Sequence, residues 1–261
     1  MSTIKTVQSK DNPLLVRLRK RLSDPAAYRK SAEVVLEGDH LCRALLQRGG
    51  HPQHAVITES AWQDADLKAL AMCAQTVCLV TAELMKGVST LETPPPLLFT
   101  LAWADGLSVR AGVPTVVLDR LQDTGNVGTL LRSAAAFGFE QVVALKGSAA
   151  LWSPKVLRAG MGAHFALHLV EGVDFSDLTS LKLPLLGTSS HGATSLHMTR
   201  LPWPCAWVFG HEGQGVSNEL LGACKFTLTI PQPGGEESLN VGAAAAVCMY
   251  ESARQRLLAP F

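Results

Sequence analysis

Short apolar segments alternate with helical segments along the C-terminal half of the chain. Each apolar segment is almost free of charge, as strands buried on both faces of a parallel sheet require. We predict strands at 115–119, 141–145, 166–170, 185–188, 206–209 and 226–230, with helices at 128–137 and 154–160. This alternation predicts an α/β domain built on a parallel sheet.

A shorter alternation occupies the N-terminal half. Strands are predicted at 33–37, 55–58, 77–80 and 97–103, and helices at 40–47 and 64–74. Asn12 and Pro13 predict the start of an earlier helix, because asparagine caps the first amides and proline has no amide to satisfy. These segments predict a small α/β domain with a mainly parallel sheet. Gly106 and Gly112 mark a linker, so we predict domains at 1–109 and 110–261.

The composition is that of a compact globular protein, with 261 residues of which 47% are hydrophobic and 17% charged. No uncharged run reaches the roughly eighteen residues that a membrane-spanning helix needs, so we expect no membrane partner. The N-terminus lacks the apolar core of a secretion signal. The six cysteines include no Cys-x-x-Cys pair, and we expect them to be reduced and buried. Together these features predict a cytoplasmic protein.

Positive charge is concentrated at the N-terminus. The formal net charge is +1, yet the first thirty residues hold eight basic side chains and two acidic ones. The rest of the chain is therefore net negative. A basic segment on an acidic body predicts a polyanionic partner such as nucleic acid, although the solvated face of a helix has the same composition.

A polar loop follows the predicted strand at 115–119 and leads into a helix. It contains Asp123, Gly125 and Asn126, and Asn126 lies close to the helix N-terminus, where free amides favour an anion such as phosphate. Arg132 is the only charged residue of the predicted helix. A buried guanidinium needs a partner, so we expect Arg132 to face a carboxylate, a phosphate or a cleft. A structural salt bridge would explain this arginine equally well.

A glycine-rich turn at 209–215 ends another apolar strand. Its spacing, Gly-x-x-Gly-x-Gly, differs from the dinucleotide-binding Gly-x-Gly-x-x-Gly. Glu212 lies at the carboxyl end of the strand, where ligands bind in open α/β sheets. A dinucleotide-dependent oxidoreductase therefore fits the α/β alternation but lacks the sequence fingerprint.

The segment 230–250 has the sequence IPQPGGEESLNVGAAAAVCMY. Two prolines end the preceding strand, two glycines allow a tight loop, and Ser238 or Asn240 can cap the helix that follows. No residue from Asn240 to Tyr250 is charged, so we expect the first turns of this helix to be buried. A polar loop before a buried helix is typical of a ligand site, although a capped core helix is the simpler explanation.

Three further patterns are not interpreted as sites. His164 and His168 have the spacing of a helical zinc pair, but they lie in a segment predicted as strand and no glutamate accompanies them, so no metal is predicted. Ser189, Ser190 and His191 lack the Gly-x-Ser-x-Gly turn that carries a hydrolase nucleophile. The sequence contains no phosphate-binding loop of the P-loop type.

Three motifs, taken in order, resemble the SpoU (TrmH-like) RNA 2′-O-ribose methyltransferases of the SPOUT superfamily. They are LDRLQDTGNVGTLLRSAAAFGF at 118–139, VFGHEGQGVSNELL at 208–221 and IPQPGGEESLNVGAAAA at 230–246. RAGMGAHF at 158–165 resembles a further segment of the family. In the N-terminal half, SKDNPLLVRLRKRL and VVLEGDHLCRALL are similar to the family's substrate-binding domain, so the resemblance covers nearly the whole chain.

The resemblance implies a C-terminal SPOUT domain with a parallel sheet and a trefoil knot, preceded by a small ribosomal-protein-like α/β/α domain that binds the substrate. It implies a homodimer that transfers a methyl group from S-adenosyl-L-methionine (SAM) to a ribose 2′-hydroxyl of ribosomal or transfer RNA. The alternative is a catalytically silent RNA-binding or ribosome-assembly protein with the same fold. A silent protein need not retain the polar residues of all three motifs, which favours the enzyme.

The resemblance also implies which residues act. The catalytic set would be Arg132, Asn126, Glu212, Ser238 and Asn240. SAM would be held by Thr188, Ser189, Ser190, Gly210, His211, Glu212, Gly213, Ile230, Ser238, Leu239, Asn240 and Val241. RNA would be bound by the basic arm, with Lys10, Arg17, Arg19, Lys20 and Arg21.

Chemistry narrows the role of the arginine. A guanidinium does not lose its proton in proteins, so we assign Arg132 to clamp a phosphate and to stabilise the developing alkoxide, with the base left open. Asn126 and Ser238 would position the ribose or phosphate. Glu212 and Asn240 would hold the loops and Arg132. The sequence departs from the family pattern at Thr124, His211 and Gly242, where proline, asparagine and serine are usual.

Overall fold

The secondary structure follows the predicted alternation. The computed structural model describes residues 2–189, 194–235 and 238–258. The α-helices are α1 (Pro13–Ser23), α2 (Ala27–Ser31), α3 (Asp39–Gln47), α4 (Ala65–Ala71), α5 (Ala82–Val88), α6 (Thr124–Ala136), α7 (Pro154–Gly160), α8 (Asn218–Ala223) and α9 (Val241–Leu258). The strands are β1 (Thr3–Thr6), β2 (Glu33–Glu37), β3 (His54–Thr58), β4 (Thr76–Val80), β5 (Leu97–Ala102), β6 (Thr115–Asp119), β7 (Gln141–Leu145), β8 (His168–Val173), β9 (Leu185–Thr188), β10 (Thr194–Ser195), β11 (Ala206–Gly210) and β12 (Phe226–Thr229).

The chain forms two compact units. The first contains Met1–Asp105 together with Trp152–Phe165, and the second contains Gly106–Leu151 together with Ala166–Phe261. The first division falls four residues before the predicted boundary at 109/110. The sequence did not indicate that 152–165 belongs to the first unit. Separate functions for the two parts of the chain stay a prediction.

The sheet of the first unit is mixed, so the prediction of a mainly parallel sheet is wrong. Its strand order is β1-β4-β3-β5-β2, and β4 pairs in parallel with β1 and β3. β5 runs antiparallel to both β3 and β2. β5 lies between these two strands and runs in the opposite direction, and the direction of a strand is set by such tertiary neighbours, not by its own residues.

Helix α1 covers this sheet as its sequence predicts. Asn12 caps it, since the Asn12 side chain accepts a hydrogen bond from the Leu14 amide at 3.0 Å. Leu15, Leu18 and Leu22 are buried in a core cluster that also contains strand residues of β2 to β5. The apolar stripe of α1 therefore anchors it, while its other faces carry the basic residues.

The segment of α7 is held in the first unit by one ion pair and by close packing. Arg158 Nη1 lies 2.7 Å from Glu37 Oε2, and the Glu37 side chain, which also accepts from Ser89 Oγ at 2.7 Å, is only 2% exposed. A Cβ at Gly162 would lie 2.5 Å from the Ala44 Cβ, and Gly162 has a φ of 88°. Close packing and a positive φ therefore explain why a glycine stands at position 162.

The second unit contains a seven-stranded sheet among the residues described, with the order β10-β12-β9-β11-β6-β7-β8. Every pairing in it is parallel, which confirms the predicted parallel sheet. Val117, Val143, Val170 and Val208 contribute to the core on one side. Because β12, β9, β11 and β6 are parallel neighbours, the loops that follow them leave the sheet at the same edge.

Some elements differ from their predictions. Helix α6 begins at Thr124, not at 128, because Asp123 Oδ1 accepts from the Asn126 amide at 2.7 Å and caps it. Strand β8 begins at His168, since 163–166 form a 3₁₀ turn. The first turns of α9 are only partly buried, because Ala243 and Val247 are exposed. β1 and β10 were not predicted.

Two further expectations concerned reduced, buried cysteines and the absence of a membrane-spanning helix. None of the six cysteines forms a disulfide, and Cys73 is exposed, contrary to the expectation that all are buried. Within the ranges that the structure covers, no helix combines the length and the apolar character needed to cross a bilayer.

Candidate functional site

Three residues that are far apart in sequence meet at the start of α6. Asn126 Nδ2 donates to Glu212 Oε1 at 3.3 Å, and Asn126 Oδ1 accepts from Asn240 Nδ2 at 3.0 Å. Asn240 Oδ1 in turn accepts from the amides of Gly242 and Ala243 and caps α9. The predicted motifs at 118–139, 208–221 and 230–246 are thus joined through one side chain.

The orientation of each amide in this chain follows from its partners. A backbone N–H can only donate, so Asn240 must present its oxygen to the start of α9 and its nitrogen to Asn126. Asn126 must then present its oxygen to Asn240, which leaves its nitrogen for the carboxylate of Glu212. Both ends of the Asn126 carboxamide are therefore occupied, and this residue holds the loops together.

Glu212 crosses from its own loop to the loop between β6 and α6. Glu212 Oε1 accepts from the Asp123 amide at 3.0 Å, and Oε2 lies 3.5 Å from the Gln122 amide. Partial burial raises the pKa of Glu212, but hydrogen bonds from backbone amides and from Asn126 outweigh it and hold the pKa below its usual value. The ionised carboxylate of Glu212 is therefore the form that accepts the hydrogen bonds between the two loops.

Asp119 and Arg120 support the same two loops from the end of β6. Buried Asp119 accepts from the Ser217 amide at 2.7 Å and from Arg120 Nε at 2.9 Å. Burial opposes ionisation of Asp119, yet the bonds from Arg120 and Ser217 lower its pKa. Arg120, which has a φ of 57°, also donates to Gln214 Oε1 at 3.1 Å. Sequence reasoning missed this network, although an Asp-Arg pair at a strand end was visible.

The glycine-rich loop after β11 folds tightly back on itself. A Cβ at Gly210 would lie 2.1 Å from the Gly215 carbonyl carbon, so only glycine fits there. His211 pairs with Gly215 in an isolated antiparallel bridge. His211 Nδ1 accepts from the amides of Gly213 and Gln214 at 3.0 and 3.3 Å. This imidazole closes the turn that carries Glu212.

The predicted SAM-binding loops leave three neighbouring strands. Thr188 ends β9, Gly210 ends β11, and Ile230 follows β12, while the strand order places β9 between the other two. The Ser189 amide donates to the Leu228 carbonyl at 3.1 Å, and Thr229 Oγ1 donates to the Ser189 carbonyl at 2.9 Å. Two of the loops are thereby tied together. Ser190, the remaining predicted member of the first loop, lies outside the described residues.

Arg132 and Ser238 are not part of the bonded chain. Both are exposed, and neither side chain forms a hydrogen bond or ion pair with any residue that the structure describes. Arg132 is six positions after Asn126, which places it about 9 Å further along α6 and on a different side of the helix. Leu239 is also exposed, and Val241 begins α9. The site therefore has a hydrogen-bonded part, formed by Glu212, Asn126 and Asn240. It also has an open part, where the exposed side chains of Arg132 and Ser238 lie.

The predicted RNA-binding residues differ in how they are held within the first unit. Arg21 is 8% exposed and pairs with Glu33, which Arg17 also approaches at 3.5 Å. Arg19 Nε donates to the Gly87 carbonyl at 2.6 Å. The side chains of Lys10 and Lys20 are exposed, and neither ammonium group bonds to any described residue. Arg21 thus has a structural partner, while the other four remain accessible.

Thr124 and Gly242 are the other two departures from the family pattern. Thr124 is the first residue of α6, the position where proline is favoured because its missing amide costs nothing and its fixed φ suits a helix. A Cβ at Gly242 would lie 3.1 Å from both Thr129 Cγ2 and Asn240 Oδ1. A serine at 242 would therefore require Thr129 or the Asn240 cap to move by a few tenths of an ångström.

Comparison with known proteins covers nearly the whole chain. The model of the SpoU rRNA Methylase family matches residues 114–250. An uncharacterized tRNA/rRNA methyltransferase of Synechocystis is 32% identical over 98% of this chain and 96% of its own. The 23S rRNA (guanosine(2553)-2′-O)-methyltransferase RlmP of Bacillus subtilis is 27% identical over 88% of this chain and 92% of its own.

A solved structure agrees in fold. The SpoU methyltransferase AviRb from Streptomyces viridochromogenes, determined in complex with the cofactor AdoMet, has a TM-score of 0.85. The alignment covers 95% of this chain and 100% of AviRb at 23% identity. At this identity the likeness concerns the fold, and it confirms the predicted α/β architecture.

Proposed function

Because the chain belongs to the SpoU rRNA methylase family, we propose that it transfers a methyl group from SAM to a ribose 2′-hydroxyl of ribosomal or transfer RNA. The prediction of the family is confirmed. The observation that carries the activity is the bonded chain Glu212–Asn126–Asn240, which joins the three family motifs at one edge of the parallel sheet. A catalytically silent protein would not need these hydrogen bonds together with an exposed Arg132 side chain.

SAM would be held at the carboxyl ends of β9, β11 and β12. Ligands of open parallel sheets bind at this edge, and the loops here offer backbone groups that lie close together because Gly210 lets the chain fold back. Thr188, Ser189, Gly213 and Ile230 belong to these loops. SAM supplies a methyl group that its sulfonium already activates. The protein's task is then to orient the ribose.

Arg132 would act on the RNA from the open part of the site. Its guanidinium is exposed and has no partner among the described residues, so it is available for the phosphate next to the target ribose. A positive charge there also stabilises the alkoxide that develops as the hydroxyl loses its proton. Ser238, which is also exposed, would position the ribose. Asn126, with both ends occupied, would hold the loops.

RNA would be bound outside the reaction centre by the basic arm, through Lys10, Arg17, Arg19 and Lys20. These side chains are exposed on and beside α1. Arg21 is excluded from this surface, because it is buried against Glu33. Phosphate contacts of this type position the RNA without reading its sequence. The first unit would then be the substrate-binding part of the enzyme, in a ribosomal-protein-like arrangement.

A trefoil knot in the C-terminal part and a cytoplasmic location complete the proposal. The support for the knot is the family resemblance, together with a strand order in which the late strand β12 pairs with β9 on the far side of β11. No metal is part of the proposed mechanism, since the 2′-hydroxyl oxygen would attack the methyl carbon directly and the neutral thioether of the spent cofactor would be the leaving group.

We also propose a homodimer formed through α9. Val247, Tyr250 and Leu257 are 41%, 54% and 79% exposed, and they follow one another at three- or seven-residue spacing on one face of the helix. A long apolar stripe of this kind is typical of an interface. Sedimentation velocity should give twice the chain mass of 27.8 kDa.

A charge in the apolar stripe should separate the subunits. We expect Val247→Glu to shift the protein to the monomer, because a carboxylate would be buried without a partner. Met72→Glu, at a residue that is 39% exposed in the first unit, is the matched control and should leave the mass unchanged. A monomeric wild-type protein at micromolar concentration would contradict the dimer.

The direct test of the proposed function is methyl transfer from labelled SAM to RNA. Purified protein is incubated with unmodified ribosomal and transfer RNA, and the products are mapped by mass spectrometry. We expect one ribose to carry the new methyl group, at a position that is unmethylated in a strain lacking the gene. RNA binding without any methyl transfer would favour the silent protein instead.

A further inference from the structure

One end of the sheet in the first unit carries a row of polar side chains. Thr3 of β1, Thr76 of β4 and His54 of β3 are direct neighbours in the strand register. We call these three residues the polar row. Since neighbouring strands lie about 4.8 Å apart, the row extends over about 10 Å.

The polar row lies on the face of the sheet that α1 covers. Val56 and Cys78 pack in the core cluster that contains the leucines of α1. His54 and Thr76 lie two positions before them on the same strands, and side chains two positions apart point to the same face. Lys5 pairs directly with Cys78 and therefore shares this face. The polar row and Lys5 thus lie beside α1.

The polar groups of this surface are available to a ligand. Thr3 and Lys5 are exposed, while His54 and Thr76 are half-buried. Within the described ranges, nothing bonds to the hydroxyls of Thr3 and Thr76. The same holds for the ammonium of Lys5 and for Nε2 of His54. Nδ1 of His54 lies 3.1 Å from Thr100 Oγ1, and this contact orients the ring.

The surroundings of the polar row are positively charged. Arg17 and Arg21 of α1 both approach the carboxylate of Glu33, so two positive charges face one negative charge. Lys5 adds a third positive charge, and three minus one leaves a formal excess of two. Burial and the positive charges of Arg17, Lys5 and Arg21 lower the pKa of His54. The fields of the three cations therefore converge on the polar row.

We propose that the polar row, together with Lys5 and Arg17, extends the RNA-binding surface from the basic arm onto the open face of the sheet. Excess positive charge attracts phosphates, and threonine hydroxyls and an imidazole nitrogen bond to phosphate oxygens and ribose hydroxyls. Arg17, whose side chain is 43% exposed, belongs to both surfaces and makes them continuous. The inference rests on the proposed function, because the occupant is the sugar–phosphate backbone of the RNA substrate.

Two substitutions separate the charge from the hydroxyl. Lys5→Ala removes one phosphate-binding charge, and the strand itself is kept because β1 pairs with β4 through its backbone. Thr3→Val removes one hydroxyl and keeps both the shape and the charge. Lys68→Ala is the matched control. Lys68 Nζ lies over the ring of Trp62, which follows the carboxyl end of β3, whereas His54 begins this strand.

Filter binding of unmodified ribosomal RNA at several salt concentrations is the first test. We expect Lys5→Ala to weaken RNA binding about fivefold near physiological salt and to lower the slope of log Kd against log salt by about one. Thr3→Val should weaken binding about threefold without changing the slope, because no charge is lost. Lys68→Ala should bind like the wild type. Wild-type affinity in either Lys5→Ala or Thr3→Val would overturn the inference.

Steady-state methyl transfer shows whether the surface acts through RNA binding alone. We expect Lys5→Ala to raise the KM for RNA and to leave kcat unchanged, because the lost contact binds the RNA outside the reaction centre. SAM affinity and the midpoint of thermal unfolding should equal the wild-type values. A lowered midpoint would give Lys5 a structural role and contradict the inference. If the wild type binds RNA but transfers no methyl group, the proposed function fails, and the comparison of RNA affinities still decides on this surface.

Discussion

Arg132→Ala should reduce the rate of methyl transfer by about 10²–10³-fold and leave SAM affinity nearly unchanged. The reason is that Arg132 is exposed on α6 and bonds to no described residue, so its removal disturbs no contact within the site. What is lost is a charge that acts on the developing alkoxide and on the neighbouring phosphate. Single-turnover transfer of label from SAM to RNA measures the rate, and calorimetry measures SAM binding.

Two further variants sharpen this prediction. Arg132→Lys keeps the charge but loses the two-pronged geometry, so an intermediate rate is expected. Arg200→Ala is the matched control, because Arg200 is also exposed without a bonded partner in the described ranges but precedes β11, at the opposite end of that strand from Glu212. Its rate should equal that of the wild type. A parallel loss of SAM affinity in Arg132→Ala would contradict the role assigned to this arginine.

Glu212→Ala should weaken SAM binding and methyl transfer together, with kcat/KM falling by about 10²–10³-fold. Glu212 accepts from the Asp123 amide and from Asn126, and the substitution leaves the two loops without their cross-link. Both loops lie in the proposed SAM site, so affinity falls in this variant, unlike in Arg132→Ala. Calorimetry and the same transfer assay measure the two effects.

The charge of Glu212 gives this prediction a pH dependence. Hydrogen bonds lower the pKa of the folded carboxylate in spite of its burial. Its contribution to loop closure is therefore fully present above the ordinary carboxyl pKa of about 4.3, and it is lost as the pH falls through the lower folded value. Acid loss due to Glu212 thus lies below the range in which histidines titrate.

Glu212→Gln and Glu219→Ala are the controls. The glutamine keeps one acceptor oxygen and should lose less activity than the alanine. Glu219 is exposed in the first turn of α8 and bonds to no described residue, so its replacement should change neither SAM affinity nor rate. If Glu212→Ala bound SAM as tightly as the wild type, the cross-link would not be what holds the loops.

Local sequence predicted those elements that are marked by their own residues, such as a run of apolar side chains or a helix cap. The consecutive apolar residues of 115–119 and 141–145 gave strands with the bounds that the structure shows. Asn12 and Pro13 gave the start of α1 for the same reason, since a cap acts within a few residues. β1 was missed because all four of its side chains are exposed, and its pairing with β4 uses only the backbone.

Strand direction and the partners of charged residues could not be predicted from neighbouring residues in the sequence. The antiparallel direction of β5 depends on its two neighbours, β3 and β2, rather than on its own residues. Arg21 stands in a basic run like its neighbours, yet its position on α1 turns it inward to Glu33. A run of charge in sequence therefore does not show which of its members face solvent.

The sequence by itself determined the family, the parallel sheet of the second unit and the residue types of the site. Only the tertiary structure decided that Asn126 is held between Glu212 and Asn240, and that His211 closes the turn beneath Glu212. The physical reason is that caps and strands depend on neighbouring residues, whereas contacts between residues 86 or 114 positions apart depend on the order of the strands that carry their loops.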